Sequence, residues 1–187
     1  MPIATDADAA ALMLQTLVVR AQTGDRDAFS ELVAEQYDFI FRTAYKWCGR
    51  REDAEDVAQD VCIKLARILS GFEGRSGFQS WLYRVVLNAV RDMQRQKGRT
   101  QSHMIDLNVA ALSVPASRQD DAEVDAELWR AVRQLPPRQC DSVLLVYAEQ
   151  KTHAEAAAIL GCSESTVSYH VHAARKALRT VLTGEPS

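Results

Sequence analysis

The sequence predicts an all-α protein of two small helical domains joined by a flexible linker, and three observations carry that prediction. Apolar residues recur at helical period along most of the chain, and no run alternates convincingly at period two. The five prolines and eight glycines fall mostly between the periodic stretches. The segment 98–122, GRTQSHMIDLNVAALSVPASRQDDA, is polar, lacks sustained periodicity and is long for a connection inside one compact domain. Charge shifts there too. Residues 84–99 hold five Arg and Lys against one Asp, whereas 118–127 hold five acids against one Arg. The expected organisation is therefore a first domain over 10–97, a linker over 98–122 and a second domain over 123–187. Helices are predicted near 10–23, 27–48, 53–70, 78–97, 123–134, 138–148, 153–160 and 164–182.

Composition narrows the function. At 187 residues with 47% hydrophobic side chains, the chain can bury a core. A formal net charge of -3 excludes a protein that coats DNA by charge alone, so any DNA contact must be local. The start, MPIATDADAAALMLQTLVVRAQ, has no basic region ahead of its apolar run and does not read as a signal peptide. No apolar run reaches the length of a membrane span. Cys48, Cys62, Cys140 and Cys162 are scattered without a C-x-x-C pair, which fits buried thiols in a reducing cytoplasm.

The third predicted helix begins REDAEDVAQD, with Glu52, Asp53, Glu55, Asp56 and Asp60 and no base after Arg51 until Lys64. Val57, Val61, Leu65 and Ile68 or Leu69 form its apolar stripe. Asp53, Asp56 and Asp60 share a second face, flanked by Glu52, Glu55 and Gln59. Two readings fit: a solvated helix start favoured by the helix dipole, or a face awaiting a basic partner.

GFEGRSGFQSWLYRVVLNAVRDMQRQKGR follows, a glycine-bearing loop leading into a helix. Phe78, Leu82, Val85, Ala89 and Met93 are its expected buried stripe. Arg84, Asn88, Arg91 and Arg95 fall on one cationic ridge around an amide, with Trp81 and Tyr83 near its start. Arginines suit backbone phosphates, an amide can pair with a base edge, and aromatics can stack on unpaired bases. Trp81 equally suits a core.

In THAEAAAILGCSESTVSYHVHAARKALRTVL a short Ala-rich helix meets a turn at Gly161, and Ser163 is a plausible N-cap for a second helix. Val167 and Val171 anchor that helix inward, directing Ser165, Thr166, Ser168, Tyr169 and His170 outward near its N-terminus, where a recognition helix meets base edges. No acid occurs from Ser165 to Thr183, and Arg175, Lys176 and Arg179 can follow phosphates. His153, His170 and His172 do not have metal-site spacing. No phosphate loop, nucleophile elbow or buried carboxylate pair supports catalysis, and no cofactor is implied.

In this order, GDRDAFSELVAEQYDFIFRTAY, REDAEDVAQDVCIKLARIL, FEGRSGFQSWLYRVVLNAVRD and LPPRQCDSVLLVYAEQKTHAEAAAILGCSESTVSYHVHAARKALR resemble regions 2 and 4 of bacterial RNA polymerase sigma factors of the extracytoplasmic-function (ECF) group. The resemblance covers 24–97 and 127–182. It implies a non-enzymatic initiation factor that directs core polymerase to promoters of a stress or envelope-signal regulon, under control of an anti-sigma factor. It further implies that Asp53, Asp56, Gln59 and Asp60 dock on a coiled coil of the largest polymerase subunit, with the polymerase flap as a second contact. Trp81, Arg84, Asn88, Arg91 and Arg95 would serve the minus-ten element, Asn88 at a flipped base. Ser165, Thr166, Ser168, Tyr169, His170, Arg175 and Lys176 would serve the minus-thirty-five element. Relatives often carry TVKSRLHRAR where this chain has TVSYHVHAAR, so Ser168, His170 and Ala173 replace cations. A response-regulator-type transcription factor and a helical adaptor are the competing readings; neither accounts for the basic helix after GFEGRSG.

Overall fold

The computed structural model describes the backbone of residues 6–101 and 119–183 and the side chains of residues 10–98 and 126–180. Among the described residues there are helices and turns and no strand. The order is α1 (Asp6–Gln22), α2 (Arg26–Cys48), α3 (Arg51–Ile68), a 3-10 turn (Leu69–Gly71), α4 (Phe78–Gln101), α5 (Gln119–Gln134), α6 (Pro137–Val143), a π-helical segment (Leu144–Ala148) continuing α6, α7 (His153–Leu160) and α8 (Glu164–Thr183). Helix extends four residues into each end of the expected 98–122 linker; positions 102–118 lie outside the described residues.

Local chemistry sets the boundaries. Asp25 caps α2 by accepting from the amides of Asp27 and Ala28 at 3.1 and 3.0 Å. At the other end Gly49, with φ 71°, closes α2 through its amide to the Tyr45 carbonyl at 2.8 Å. Thr152 and Glu155 form a reciprocal capping box at the start of α7, and Gly161, with φ 66°, ends it. The Ser163 hydroxyl accepts from the Thr166 amide at 3.2 Å, as expected of an α8 cap.

α1 to α4 form the first domain around Leu32, Ile40, Val57, Val61, Leu65, Leu82 and Val86, all buried. α5 to α8 form the second around Leu144, Leu145, Ile159, Val167, Val171 and Ala174. The loop before α4 is tied to α1 by Gln22 Nε2, which donates to the carbonyls of Leu69 and Phe72 at 3.0 and 2.7 Å.

The two domains pack against each other, with α4 against α7 and α2 against the π-helical segment. Polar groups dominate the named contacts between them. The indole N–H of Trp47 donates to Asp141 Oδ1 at 2.9 Å, and Asp141 Oδ2 is ion-paired with Arg91. The Glu149 carboxylate accepts from the Tyr83 hydroxyl at 2.6 Å and pairs with Lys46 at 2.7 Å. Lys151 lies 5.5 Å from the centre of the Tyr83 ring. Arg133 approaches so closely that a Cβ on Gly49 would lie 2.5 Å from its Nε. Gly49 thus answers two demands at once, a left-handed backbone and a domain contact.

Packing on two sides revises the expected α4 stripe. Phe78, Leu82 and Ala89 are buried as anticipated, but Val85 and Met93 are only half-buried. Tyr83, Val86, Leu87 and Val90 are buried in addition, and Tyr83 lies on a flank that Glu149 of the second domain covers. Ile68 is exposed and Leu69 completes the α3 stripe.

Candidate nucleic-acid interface

The acidic face of α3 divides into two parts. Asp56, Gln59 and Asp60 are exposed. Asp53, with only 13% of its side chain exposed, is ion-paired with Lys97 near the end of α4. Arg51 pairs with Glu55 at 2.8 Å and Arg50 with Glu52 at 3.1 Å. The compensating bases therefore come from the preceding residues and from a helix remote in sequence.

The ridge on α4 exists, and every member is engaged. Arg84 Nη2 donates to the Ser76 hydroxyl at 2.7 Å in the glycine-bearing loop, while its Nε is buried without an acceptor. Asn88 is exposed and its Oδ1 accepts from Arg91 Nη1 at 3.3 Å. Arg91 reaches Asp141, and Arg95 pairs with Asp92 at 2.8 Å. Trp81 is half-buried in an aromatic cluster, its ring centre 5.1 Å from Phe72 and 5.7 Å from Phe78. Tyr83 departs from the expected stacking role: it is buried, lies edge-on to Phe39 at 4.7 Å and gives its hydroxyl to Glu149. Burial first, and that hydrogen bond second, hold its phenol well above the ordinary tyrosine range.

α7 and α8 make the anticipated helix pair. Val167 and Val171 point inward, and Ala157 is buried one turn before Gly161. Tyr169 is 68% exposed, and Arg175 and Lys176 are exposed farther along. The remaining polar residues are more committed than sequence suggests. Ser165 and Thr166 place their hydroxyls 2.9 and 2.7 Å from Ser163 Oγ. Ser168 Oγ lies 2.8 Å from His153 Nδ1. His170 is half-buried with Nδ1 enclosed and unpartnered, whereas His172 is the exposed imidazole of α8. Arg175 sits 5.5 Å from the centre of the exposed Tyr147 ring. Tyr147 lies on the π-helical segment, outside the helix pair, and no periodic signal singles it out.

Residues 32–100 match the family model for sigma-70 region 2, and residues 125–178 match that for sigma-70 region 4. The ECF RNA polymerase sigma factor BldN of Streptomyces coelicolor is 31% identical over 185 residues, covering 96% of this chain and 69% of the relative. The chain belongs to the ECF sigma factors. The ECF sigma factor SigW of Bacillus subtilis is 28% identical over 91% of this chain and 97% of its own length. SigE of Mycolicibacterium smegmatis is 31% identical over 88% of this chain, which spans 66% of that relative. Solved structures share the fold: RpoE of Bartonella quintana, in complex with the anti-sigma factor NepR, has a TM-score of 0.64 at 23% identity, covering 84% of this chain and 98% of that one. CnrH, in complex with the cytosolic domain of CnrY, has a TM-score of 0.65 at 24% identity, covering 93% and 99%. This sigma factor is thus an initiation factor and not an enzyme. Among the described residues no group of three or more His, Cys, Asp or Glu gathers as a metal site, and no helix is long and apolar enough to cross a membrane.

Proposed function

We propose that this sigma factor docks on core RNA polymerase through α3 and contacts promoter DNA with α4 and α8. One observation carries the reading: α3 presents Asp56, Gln59 and Asp60 to solvent, while α4 of the same small bundle carries the Arg-Asn series Arg84, Asn88, Arg91 and Arg95. Acid at a DNA surface repels phosphate, whereas the same acid attracts a basic protein surface. Asp56, Gln59 and Asp60 meet the coiled coil of the largest subunit, with Asp53 beside them under the control of Lys97. Residues 10–97 are the polymerase and minus-ten unit, 98–122 the connection, and 123–187 the minus-thirty-five unit, which also meets the flap.

In this reading Arg84, Arg91 and Arg95 follow the strand backbone, Asn88 meets a base edge and Trp81 backs the base pocket. The enclosed, unpartnered Nε of Arg84 is a donor without an acceptor, which supports a ligand at the loop. At the minus-thirty-five element, Tyr169 and Ser168 face the groove and Arg175 and Lys176 the phosphates, with Ser165, Thr166 and His170 at the helix start. The protein works in the cytoplasm on a signal-dependent regulon, held by an anti-sigma factor, as RpoE is in complex with the anti-sigma factor NepR in a solved structure of the same fold. The response-regulator alternative is not favoured, because region 2 occupies the place of a receiver domain. Co-purification with core polymerase followed by promoter-dependent run-off transcription tests the proposal; a chain that binds no core enzyme would refute it.

A further inference from the structure

Arg91 lies in the middle of the α4 ridge, and the group it meets in this structure belongs to the second domain. That group, the Asp141 carboxylate, is 3% exposed, while the Arg91 side chain is 30% exposed. Its second oxygen accepts the indole N–H of Trp47, itself buried. One negative charge spread over two oxygens, taking a guanidinium on one and a neutral donor on the other, is also what a phosphodiester offers an arginine. The amide meant for a base is drawn into the same knot, since Asn88 Oδ1 accepts from Arg91. Around it, Glu149 of the second domain neutralises Lys46 and takes the Tyr83 hydroxyl.

A buried ion pair inside a domain is trapped, because removing one partner leaves a charge with no water. At a boundary between domains the balance differs. Separation rehydrates both Asp141 and Arg91, so the pair itself adds only the small difference between pairing and hydration to the other contacts between the domains. Another anion can then compete.

We propose that Asp141 is an internal stand-in for a promoter-strand phosphate: it holds Arg91 in the closed chain, so the second domain and single-stranded DNA compete for one guanidinium. The inference rests on the reading of α4 as the minus-ten surface. The closed form binds DNA poorly by itself, and opening releases Arg91, Asn88 and Lys46 together. If the free chain is open about a tenth of the time, its apparent affinity for the strand is about tenfold below that of an open chain.

The test compares the full chain with Asp141→Asn and Trp47→Phe, each verified by far-UV circular dichroism. Asp141→Asn keeps the shape and removes the charge; Trp47→Phe keeps a ring and removes the N–H. The radius of gyration from small-angle X-ray scattering reports domain separation. Anisotropy of a fluorescein-labelled single-stranded DNA of mixed sequence reports access to the ridge. The expected result is an expanded Asp141→Asn chain that binds the strand about tenfold more tightly, with Trp47→Phe moving both readouts the same way by less. An Asp141→Asn chain as compact as the wild type, or expanded with unchanged strand affinity, overturns the proposal. Run-off transcription with core polymerase separates this from the underlying reading: if no form initiates, the sigma assignment of α4 fails, while scattering and mixed-sequence binding still judge the competition at Asp141.

Discussion

Asp53 on α3 and Lys97 on α4, 44 residues apart, are joined in an ion pair that leaves Asp56 and Asp60 as the exposed acids of the α3 face. Reversing the exposed acids should therefore matter most. Asp56→Lys with Asp60→Lys places like charges against a basic partner, which costs several kcal/mol and about a hundredfold or more in core polymerase affinity. The far-UV helical signal should be unchanged, since neither residue enters the apolar stripe. Asp53→Asn should weaken core binding much less. Titration of labelled core enzyme with each variant checks this ranking.

Asn88 should govern which base is accepted and Arg84 how tightly any strand is held. An amide paired with a base edge is worth about 1–3 kcal/mol of discrimination, whereas a phosphate contact weakens all sequences alike. Asn88→Ala is expected to flatten base preference on a library of minus-ten variants, and Arg84→Ala to lower binding evenly. Arg91→Ala is a poor probe of the same question, because it also breaks the contact to Asp141. Identical profiles for Asn88→Ala and Arg84→Ala would show the roles to be misassigned.

At the second helix pair, Tyr147→Ala should weaken binding to a minus-thirty-five duplex by about 0.5–1 kcal/mol, the worth of an exposed cation-ring contact, without altering base preference. Arg175 would lose the surface that orients it. A changed preference would place Tyr147 in the groove itself.

The thiols of Cys48 and Cys140 are each pushed up to about 12, chiefly by burial and next by the carboxylates of Asp53 and Asp141 respectively. Thiolate is the reactive form, so both should be alkylated by iodoacetamide at pH 8 more than about a hundredfold more slowly than a free thiol. Peptide mass spectrometry over a time course reads this directly. Cys48 or Cys140 labelling as fast as a free thiol would contradict the packing around Arg133.

Acid should loosen two helix starts. Asp25 is held below its ordinary carboxylate range first by the Ala28 amide and then by Arg20, and Glu155 by the backbone and hydroxyl of Thr152. A depressed folded pKa means that the stabilisation is present above the unfolded value, near 4, and is lost as pH falls through the folded one. Thermal melts should drop in that window, and Asp25→Asn with Glu155→Gln should flatten the fall. An unaltered slope in the double variant would exclude these caps as its source.

Much of this was legible in residue order. The helices, the apolar stripes of α3 and α8, the turn at Gly161 and the cap at Ser163 follow from spacing that spans a few residues. What escaped was contact between positions far apart in the chain. Tyr83 read as a stacking surface because its neighbours are basic, but Glu149, 66 residues later, gives its hydroxyl a partner and covers it. Arg91 read as a free phosphate ligand, although Asp141 lies 50 residues on. Asp53 read as part of an uncompensated face because Lys97 is 44 residues away. His170 read as outward because a single helix offers no sign of what packs beside it. Helical periodicity ranks the faces of one helix; it does not say which second helix covers a flank.

The enclosure of Asp141 has a consequence for ionic strength. Mobile ions screen a pair with one partner enclosed less than a pair fully on the surface, whereas strand binding releases counterions and weakens steeply as salt rises. The two rivals for Arg91 therefore respond unequally to the same change in medium. Where a strand competes for Arg91, concentrating the surrounding electrolyte, as water loss does to a cell, would favour the closed, Asp141-bound arrangement over the strand-bound one, and dilution would favour the strand. If Asp141 and the strand compete as proposed, osmotic state becomes an input to promoter access, read by one guanidinium.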